Sequence, residues 1–417
     1  MHNIINFFKS DKIKNSRLDY YFLENLEEKE YPKYLAKMFN YRTGEKLPLE
    51  WSFKSGEWRI NKKRCKTFNQ KIQWIKLYGI TDLMRDCSDK VKVRDYVREK
   101  IGSEYLKPVL QIIPSCHSEN LENQNNNLVD FQVVQNLKEE RSKKVNKCCH
   151  TELVSLSDVQ EEKMLKHACI NDETENKNIN YTAVQHDRPI SALQPNLINK
   201  TDVSTYFDKI DFCKLPNSFV MKCSLGCKWH YIIKDKEKYL KNKRLLDITK
   251  VKMTGWLQQE YCYWNGFEMQ YAKSSKTGEN QFKEKEVKAQ IIIEPLLRED
   301  INVNSEEIQV YCFNGIPKLI ARIYNERKIA LYDEKLNIAD DIFNFKNYKA
   351  DIIADDIIKQ AHSLSLKLAE KTVFVRVDWM LYKNKIYFAE MTFTPYSGFY
   401  NFKKSSNLKL GSWLNLN

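Results

Sequence analysis

The chain is 417 residues long, 42% hydrophobic, 29% charged and 12% aromatic, which excludes collagen, coiled coil and wholesale disorder and leaves apolar matter for two or three cores. No run approaches the roughly 18 apolar residues of a membrane span, and Met1 to Lys12 lacks the apolar stretch of a signal peptide, so a cytoplasmic location is expected. The 68 basic and 55 acidic side chains leave a net charge of +13, which favours an anionic partner: nucleotide, polyanionic sugar, nucleic acid or lipid surface.

Residues 1–113 read as a small, mainly helical region. Phe68, Ile72, Trp74, Ile75, Leu77 and Tyr78 form one amphipathic run, and Val91, Val93, Tyr96, Val97 and Ile101 recur at near-helical spacing before Gly102, where a helix would stop. Residues 114–205 change character. An Asn-rich run at Asn123 to Asn127, scattered charges, and the absence of Trp and Gly predict a polar, largely disordered insertion. Its Cys148, Cys149 and His150 lack ordinary zinc spacing, so unstructured thiols are the better reading. The 11 cysteines in all lack the spacing of a secreted scaffold, and disulfides are not expected. Residues 206–417 alternate strand-like and helix-like segments, an α+β pattern. Strands are predicted over 218–223, 229–233, 290–297, 308–313, 318–324, 373–381 and 385–393, and a helix over 354–368.

Two β-rich runs between Phe374 and Phe393 flank the polar turn Lys383, Asn384, Lys385 and read as an antiparallel hairpin. If the turn centres on Asn384, Asp378 faces Glu390 and Arg376 faces Thr392. Facing side chains lie about 4.5 to 5.5 Å apart at Cβ, and two carboxylates that close repel each other. A divalent cation resolves the conflict, since Mg²⁺ takes carboxylate, phosphate and water oxygens. Arg376 shares the face of Asp378, where a guanidinium can reach phosphates. The alternative is a solvated face on which Arg376 pairs with one of the acids, but the apolar flanks point to a buried sheet. Thr394, Pro395, Tyr396, Ser397 and Gly398 then form a turn suited to holding a substrate end, though tight-turn geometry alone also explains Pro395 and Gly398.

Phe219 to Lys222 predicts a strand delivering Lys222 to a turn that contains Gly226, followed by a second strand ending at Lys234. This is either a nucleotide grip or a surface hairpin. Ile291 to Leu296 is an apolar strand closing on Glu294. Its backbone would serve as a hinge for adenine with Glu294 on a ribose hydroxyl, or it is an ordinary buried strand end.

Taken together, these residues resemble the ATP-grasp superfamily, and specifically the TupA-like family found with teichuronopeptide and cell-surface polysaccharide biosynthesis. The resemblance rests on Tyr41 to Gly44, Thr67 to Trp74, Asp89 and Lys90, Val93 to Leu110, Leu215 to Cys223, Tyr311 to Pro317, Arg327, Tyr332, Asp333 and above all Arg376 to Gly398. The last block also looks like the metal-binding end of D-alanine:D-alanine ligases, with Thr392 where Asn is usual. The resemblance implies two α+β subdomains clamping ATP, preceded by the helical region and interrupted by the insertion. It implies Mg²⁺ on Asp378 and Glu390 with Thr392 as a third group, Arg376 steadying the transferring phosphoryl group, Lys222, Gly226 and Lys234 around the phosphates, and Glu294 at the adenosine hinge. Two departures stand out: the loop Ser224 to Lys228 keeps one glycine where the family typically has Asn-His-Gly-Ser-Gly, and Gln309 replaces a usual Lys.

The implied activity is carboxylate–amine ligation through an acylphosphate. The implied partners are an anionic sugar or polymer precursor and an amino-acid-like amine, with peripheral association at the inner membrane surface. A glycosyltransferase of the same pathway and a degenerate member without ligase activity are the alternatives. A nucleic-acid binder fits worst, because the excess charge is spread along the chain.

Overall fold

The computed structural model describes residues 26–114, 206–258, 261–263, 266–272, 288–297, 306–325, 328–339, 342–343 and 355–416. The expected insertion beyond residue 114, with Cys148, Cys149 and His150, lies outside the described residues, as does Arg327. In chain order come α1 (Tyr31–Thr43), the hairpin β1 (Leu49–Ser52) and β2 (Glu57–Ile60), α2 (Phe68–Tyr78), α3 (Asp82–Ser88), α4 (Val93–Ile101) and β3 (Gln111–Ile113). After the undescribed stretch follow β4 (Phe219–Cys223), β5 (His230–Ile233), α5 (Lys236–Lys241), α6 (Lys243–Gln258), β6 (Ile291–Pro295), β7 (Glu307–Phe313), β8 (Ile316–Asn325) and β9 (Lys328–Asp333). The chain closes with α7 (Asp356–Ala369), β10 (Phe374–Tyr382), β11 (Lys385–Thr392) and α8 (Lys404–Trp413).

The strands build two larger antiparallel sheets, ordered β3-β6-β4-β5 and β11-β10-β7-β8-β9. Period-2 alternation divides the four-stranded sheet cleanly. Phe219, Met221, Cys223, Ile291, Ile293 and Ile233 point into one core with Met253 and Leu257 of α6 and Leu35 and Phe39 of α1. The other face carries Val220, Lys222, Ile292 and Glu294, whose pairing puts Val220 opposite Glu294 and Lys222 opposite Ile292. In the five-stranded sheet, Val375, Val377 and Trp379 face α7, and the Trp379 indole donates to Ser365 Oγ at 2.8 Å. Ile358, Ala361, Leu364 and Leu368 line the buried stripe of α7, as their spacing predicts, and Asp355 caps its first turn by accepting from Ile358 N at 3.0 Å.

Composition drew a boundary at residue 113, but contacts draw none there: the described residues on its two sides fall in one compact unit. Strand β3 adds to the edge of β6. Helix α2, started by a capping box between Thr67 and Gln70, docks on the last helix. Asn69 N donates to Asn407 Oδ1 at 3.1 Å, and Lys71 Nζ donates to the carbonyls of Gly411 and Leu414 at 2.8 and 2.6 Å. Trp74 and Met269 touch both cores.

Candidate active site

The β10–β11 pairing brings Asp378 opposite Glu390 and Arg376 opposite Thr392, on the sheet face away from α7. The turn is shorter than expected. Tyr382 pairs with Lys385 around the two-residue loop Lys383–Asn384, both left-handed at φ 50° and 57°, which matches the twist of a tight hairpin. That register alone would pair Asp378 with Ala389. A bulge between Asp378 and Trp379 absorbs Ala389 and moves Glu390 into line, so the carboxylate pair owes its geometry to the irregularity.

Arg376 relieves the repulsion between the acids. Its Nε and Nη2 donate to Asp378 Oδ1 and Oδ2 at 2.7 and 2.6 Å, and Nη2 reaches Glu390 Oε1 at 3.5 Å and Thr392 Oγ1 at 3.3 Å. The Thr392 hydroxyl donates to Glu390 Oε1 at 3.0 Å. Burial pushes the Asp378 carboxyl up to about 7 against the pull of Arg376. Burial also works on Glu390, but Arg376 and Lys90 hold it below the ordinary carboxylate value. Neighbouring β7 sets Gln309 beside Asp378, where it accepts from the Tyr311 hydroxyl at 3.0 Å.

Across from this hairpin, Lys222 projects from the core-averted face of the four-stranded sheet. Its Nζ lies 2.7 Å from Glu294 Oε2, and Lys107 Nζ approaches the same oxygen at 3.1 Å. Lys107 belongs to the site by position, yet nothing in its local sequence sets it apart from the other lysines. Burial drops Lys107 to about 8, while Glu294 and, beyond it, Glu390 raise Lys222 in spite of its own burial. The two lysines hold Glu294 well below the carboxylate range although burial opposes them. Glu294 is thus enclosed between two ammonium groups, not presented at an open strand end as a hinge reading expects. Lys234 is not brought here. It lies exposed just past Ile233, which pairs with Phe219, whereas Lys222 pairs with His230 at the other end of β5.

The loop after β4 is folded down. Gly226 sits at φ 83° against the Tyr261 ring, where a Cβ would fall 2.5 Å from Cδ2, and Lys90 Nζ donates to the Gly226 carbonyl at 2.6 Å. Ser224 Oγ accepts from Gln290 N at 3.1 Å. The loop tip still faces the hairpin, close enough that crowding by neighbouring atoms and the Glu390 and Glu268 carboxylates raise the Cys227 thiol while Lys90 and Arg376 lower it, although the side chain itself is exposed.

Ser397 and Gly398 close the far side, both left-handed, at φ 53° and 68°. The Ser397 carbonyl and hydroxyl accept from fully buried Lys76 Nζ at 3.1 and 3.0 Å, and Gln73 Nε2 donates to the carbonyls of Ser397 and Gly398 at 3.0 and 2.9 Å. A Cβ on Gly398 would strike Gln73 Nε2 at 2.5 Å. Beside them Thr394 Oγ1 donates to Glu268 Oε1 at 2.5 Å and accepts from Gln270 Nε2 at 2.7 Å. Sequence reading missed Lys76, Gln73, Glu268 and Gln270; the first two lie inside the amphipathic run Phe68–Tyr78, and nothing in the local pattern sets the other two apart.

Burial pulls Lys76 down to about 7, Glu268 notwithstanding. An unfolded lysine keeps its proton between that value and 10.5, so folding becomes more favourable as pH climbs through the window. Chemical denaturation of wild type and Lys76→Met should show the wild type gaining stability relative to the variant from pH about 7 to about 10. A constant difference would mean that Lys76 is charged in the fold.

The oxygen donors fit Mg²⁺. Among the described residues no group of three or more His, Cys, Asp and Glu side chains forms a complete metal cage. Mg²⁺ needs none, because it binds through one or two carboxylates and completes its shell with water and phosphate oxygens. Asp378 and Glu390 are two such carboxylates, with the Thr392 hydroxyl beside them.

The TupA-like ATPgrasp family model matches residues 175–415, more than half of the chain, and the chain belongs to this family. Its α+β architecture of two antiparallel sheets is the ATP-grasp fold. Among solved structures it is similar to D-alanine–D-alanine ligase from Bacillus anthracis complexed with ATP (16% identity over 46% of this chain and 42% of that one, TM-score 0.21). It is likewise similar to D-alanine–D-alanine ligase from Helicobacter pylori (12%, 52% and 54%, TM-score 0.26) and to the ATP-grasp ligase PsnB complexed with minimal precursor, Mg and ADP (11%, 47% and 46%, TM-score 0.22). The chain thus spans about half the length of these proteins. No curated protein matches it. No helix among the described residues is long and apolar enough to cross a membrane.

Proposed function

We propose that the protein is an ATP- and Mg²⁺-dependent carboxylate–amine ligase. The observation that carries this reading is the facing pair Asp378 and Glu390 with Arg376 between them, set across from Lys222 and Lys107. In the reaction a substrate carboxylate oxygen attacks the γ-phosphorus of ATP, the bond to the bridging oxygen breaks and ADP leaves. An amine then attacks the acyl carbon, loses a proton and expels phosphate. Asp378 and Glu390, with Thr392, would hold Mg²⁺, which when bound neutralises charge on the β- and γ-phosphate oxygens. Arg376 donates once to each Asp378 oxygen, which leaves each a further lone pair for a cation, and its planar fork lies where it can turn to the transferring phosphoryl group. Lys222 and Lys107 supply positive charge for the phosphates, with Glu294 keeping the pair charged. The strained turn at Ser397 and Gly398, fixed by Lys76 and Gln73, shapes the acceptor end. An anionic sugar or polymer precursor as acceptor and an amino acid as amine suit the +13 balance.

The loop Ser224–Lys228 favours one second reading, a nucleotide-binding member with slow or lost turnover, because Lys90 and Tyr261 occupy the space where phosphate would meet the backbone. One experiment separates the two. ATP with Mg²⁺ should raise the melting temperature, a ligand at a hundred times its Kd adding about 2.7 kcal/mol. ADP release should then appear only with a suitable amino acid and uronic-acid acceptor. A thermal shift without any release across such panels would favour the second reading, and the absence of any shift would contradict both. Lys222→Ala should diminish the shift.

A further inference from the structure

We infer that the β1–β2 hairpin is a docking tip for an anionic lipid surface, independently of the ligase reading. One face of this two-stranded sheet carries Leu49, Trp51, Trp58 and Ile60, since Leu49 pairs with Ile60 and Trp51 with Trp58. The face begins in the core, where Ile60 is 3% exposed, and climbs out of it: Trp51 is 43% exposed and Phe53, at the turn, 94%. The two indoles hold each other edge to face at 5.8 Å. An apolar ridge that leaves the core and ends on a bare phenyl ring costs hydration wherever it stays in water, and it marks a surface that meets something apolar.

The charges around the ridge identify that partner. Between Glu45 and Lys66 stand seven basic residues and three acidic ones. The acids are answered locally: Glu45 accepts from Thr67 Oγ1 and Asn407 Nδ2, Glu50 accepts from Asn61 Nδ2, and Glu57 pairs with Arg59 at 2.6 Å. Lys46, Lys54, Lys63, Arg64 and Lys66 are exposed and make no ion pair among the described residues. Lys54 neighbours Phe53 at the tip, and the other four flank the base of the hairpin. A protruding aromatic tip with a basic collar has the form of an interfacial anchor, in which the ring enters the acyl boundary while ammonium and guanidinium groups remain among lipid phosphates. Phe53 stands bare at the turn, whereas the hot centres of protein interfaces sit in well-packed, desolvated pockets. The indoles meet edge to face at 71°, so they do not present the parallel ring faces on which successive bases of a single strand stack.

The test is co-sedimentation of the full chain with vesicles of phosphatidylcholine alone and of equal parts phosphatidylcholine and phosphatidylglycerol. The wild type should bind the anionic vesicles, release them in high salt and ignore the neutral ones. Phe53→Ser removes a ring that makes no core contact, so its melting temperature should be unchanged while vesicle affinity falls roughly tenfold or more. Lys63→Glu and Arg64→Glu should each cost at least about fivefold. Failure of the wild type to bind, or equal binding by Phe53→Ser, would overturn the inference. So would a dimer in lipid-free solution that Phe53→Ser dissolves, or equally tight, Phe53-dependent binding of a single-stranded oligonucleotide. ADP release takes no part in this measurement, so either conclusion can fail alone.

Discussion

Replacing Arg376 by alanine is expected to be the most damaging single substitution at the site, lowering stability by about 3 to 5 kcal/mol and abolishing phosphoryl transfer. The guanidinium is buried and bridges two acids that the hairpin forces face to face. Without it Asp378 and Glu390 confront each other with only the more distant Lys90 to offset their charge, which favours a proton on one of them. Arg376→Lys keeps a positive charge and should recover part of the stability. It should not recover activity, because an ammonium cannot reproduce the planar grip on two oxygens. The amide variants behave differently again. From sequence alone, Asp378→Asn or Glu390→Gln should leave the metal-free protein as stable or more stable by relieving repulsion. The geometry reduces that gain, since Arg376 already relieves it, and Asp378→Asn retains the Arg376–Glu390 contact. Activity should still fall by roughly 10² to 10³ in either amide variant. Melting curves and ADP release on the same four preparations check the whole pattern.

Glu294→Gln should have the second largest effect. The carboxylate, 6% exposed, neutralises both Lys107 and Lys222. An amide would leave two buried ammonium groups repelling each other, so one of them would fold neutral. Breaking a buried ion group in this way costs about 3 kcal/mol or more. Because the folded pKa of Glu294 lies below its unfolded one, the stabilisation is complete above the ordinary carboxylate range and fades as pH falls below it. Urea unfolding should therefore show a wide gap between wild type and Glu294→Gln at neutral pH, narrowing in acid. A gap independent of pH would mean that packing, not charge, is what Glu294 supplies.

Much of this was readable in advance where the sequence is locally consistent. Alternating apolar residues marked the strands that carry Lys222, Glu294, Arg376 and Asp378, and the Asp378–Glu390 pairing follows from spacing about Asn384. That success had two compensating parts: the turn is half a residue off the expected centre, and the bulge at Ala389 restores the register. Nothing in the local pattern announces a bulge of this kind, because it depends on how β10 and β11 twist against each other. The enclosing groups were harder to see. Lys107, Lys76, Gln73 and Glu268 reach the site through folding of segments far apart in the chain, and a buried lysine looks like a solvated one until its neighbours are known. Composition also separated residues 1–113 from the rest, whereas β3 and α2 are built into the same unit as the two larger sheets. Lys234 shows the limit of motif transfer, since a lysine at the right place in the order can stand at the wrong end of a strand.

In the proposed reaction Asp378 and Glu390 share a divalent cation with the phosphates of ATP. Binding of Mn²⁺ as a stand-in for Mg²⁺, followed by electron paramagnetic resonance with and without ADP, tests it most directly. Mn²⁺ binding should be strengthened by the nucleotide in the wild type and lost in both Asp378→Asn and Glu390→Gln while each variant stays folded. Nucleotide-dependent Mn²⁺ binding that survives in either folded variant would contradict it.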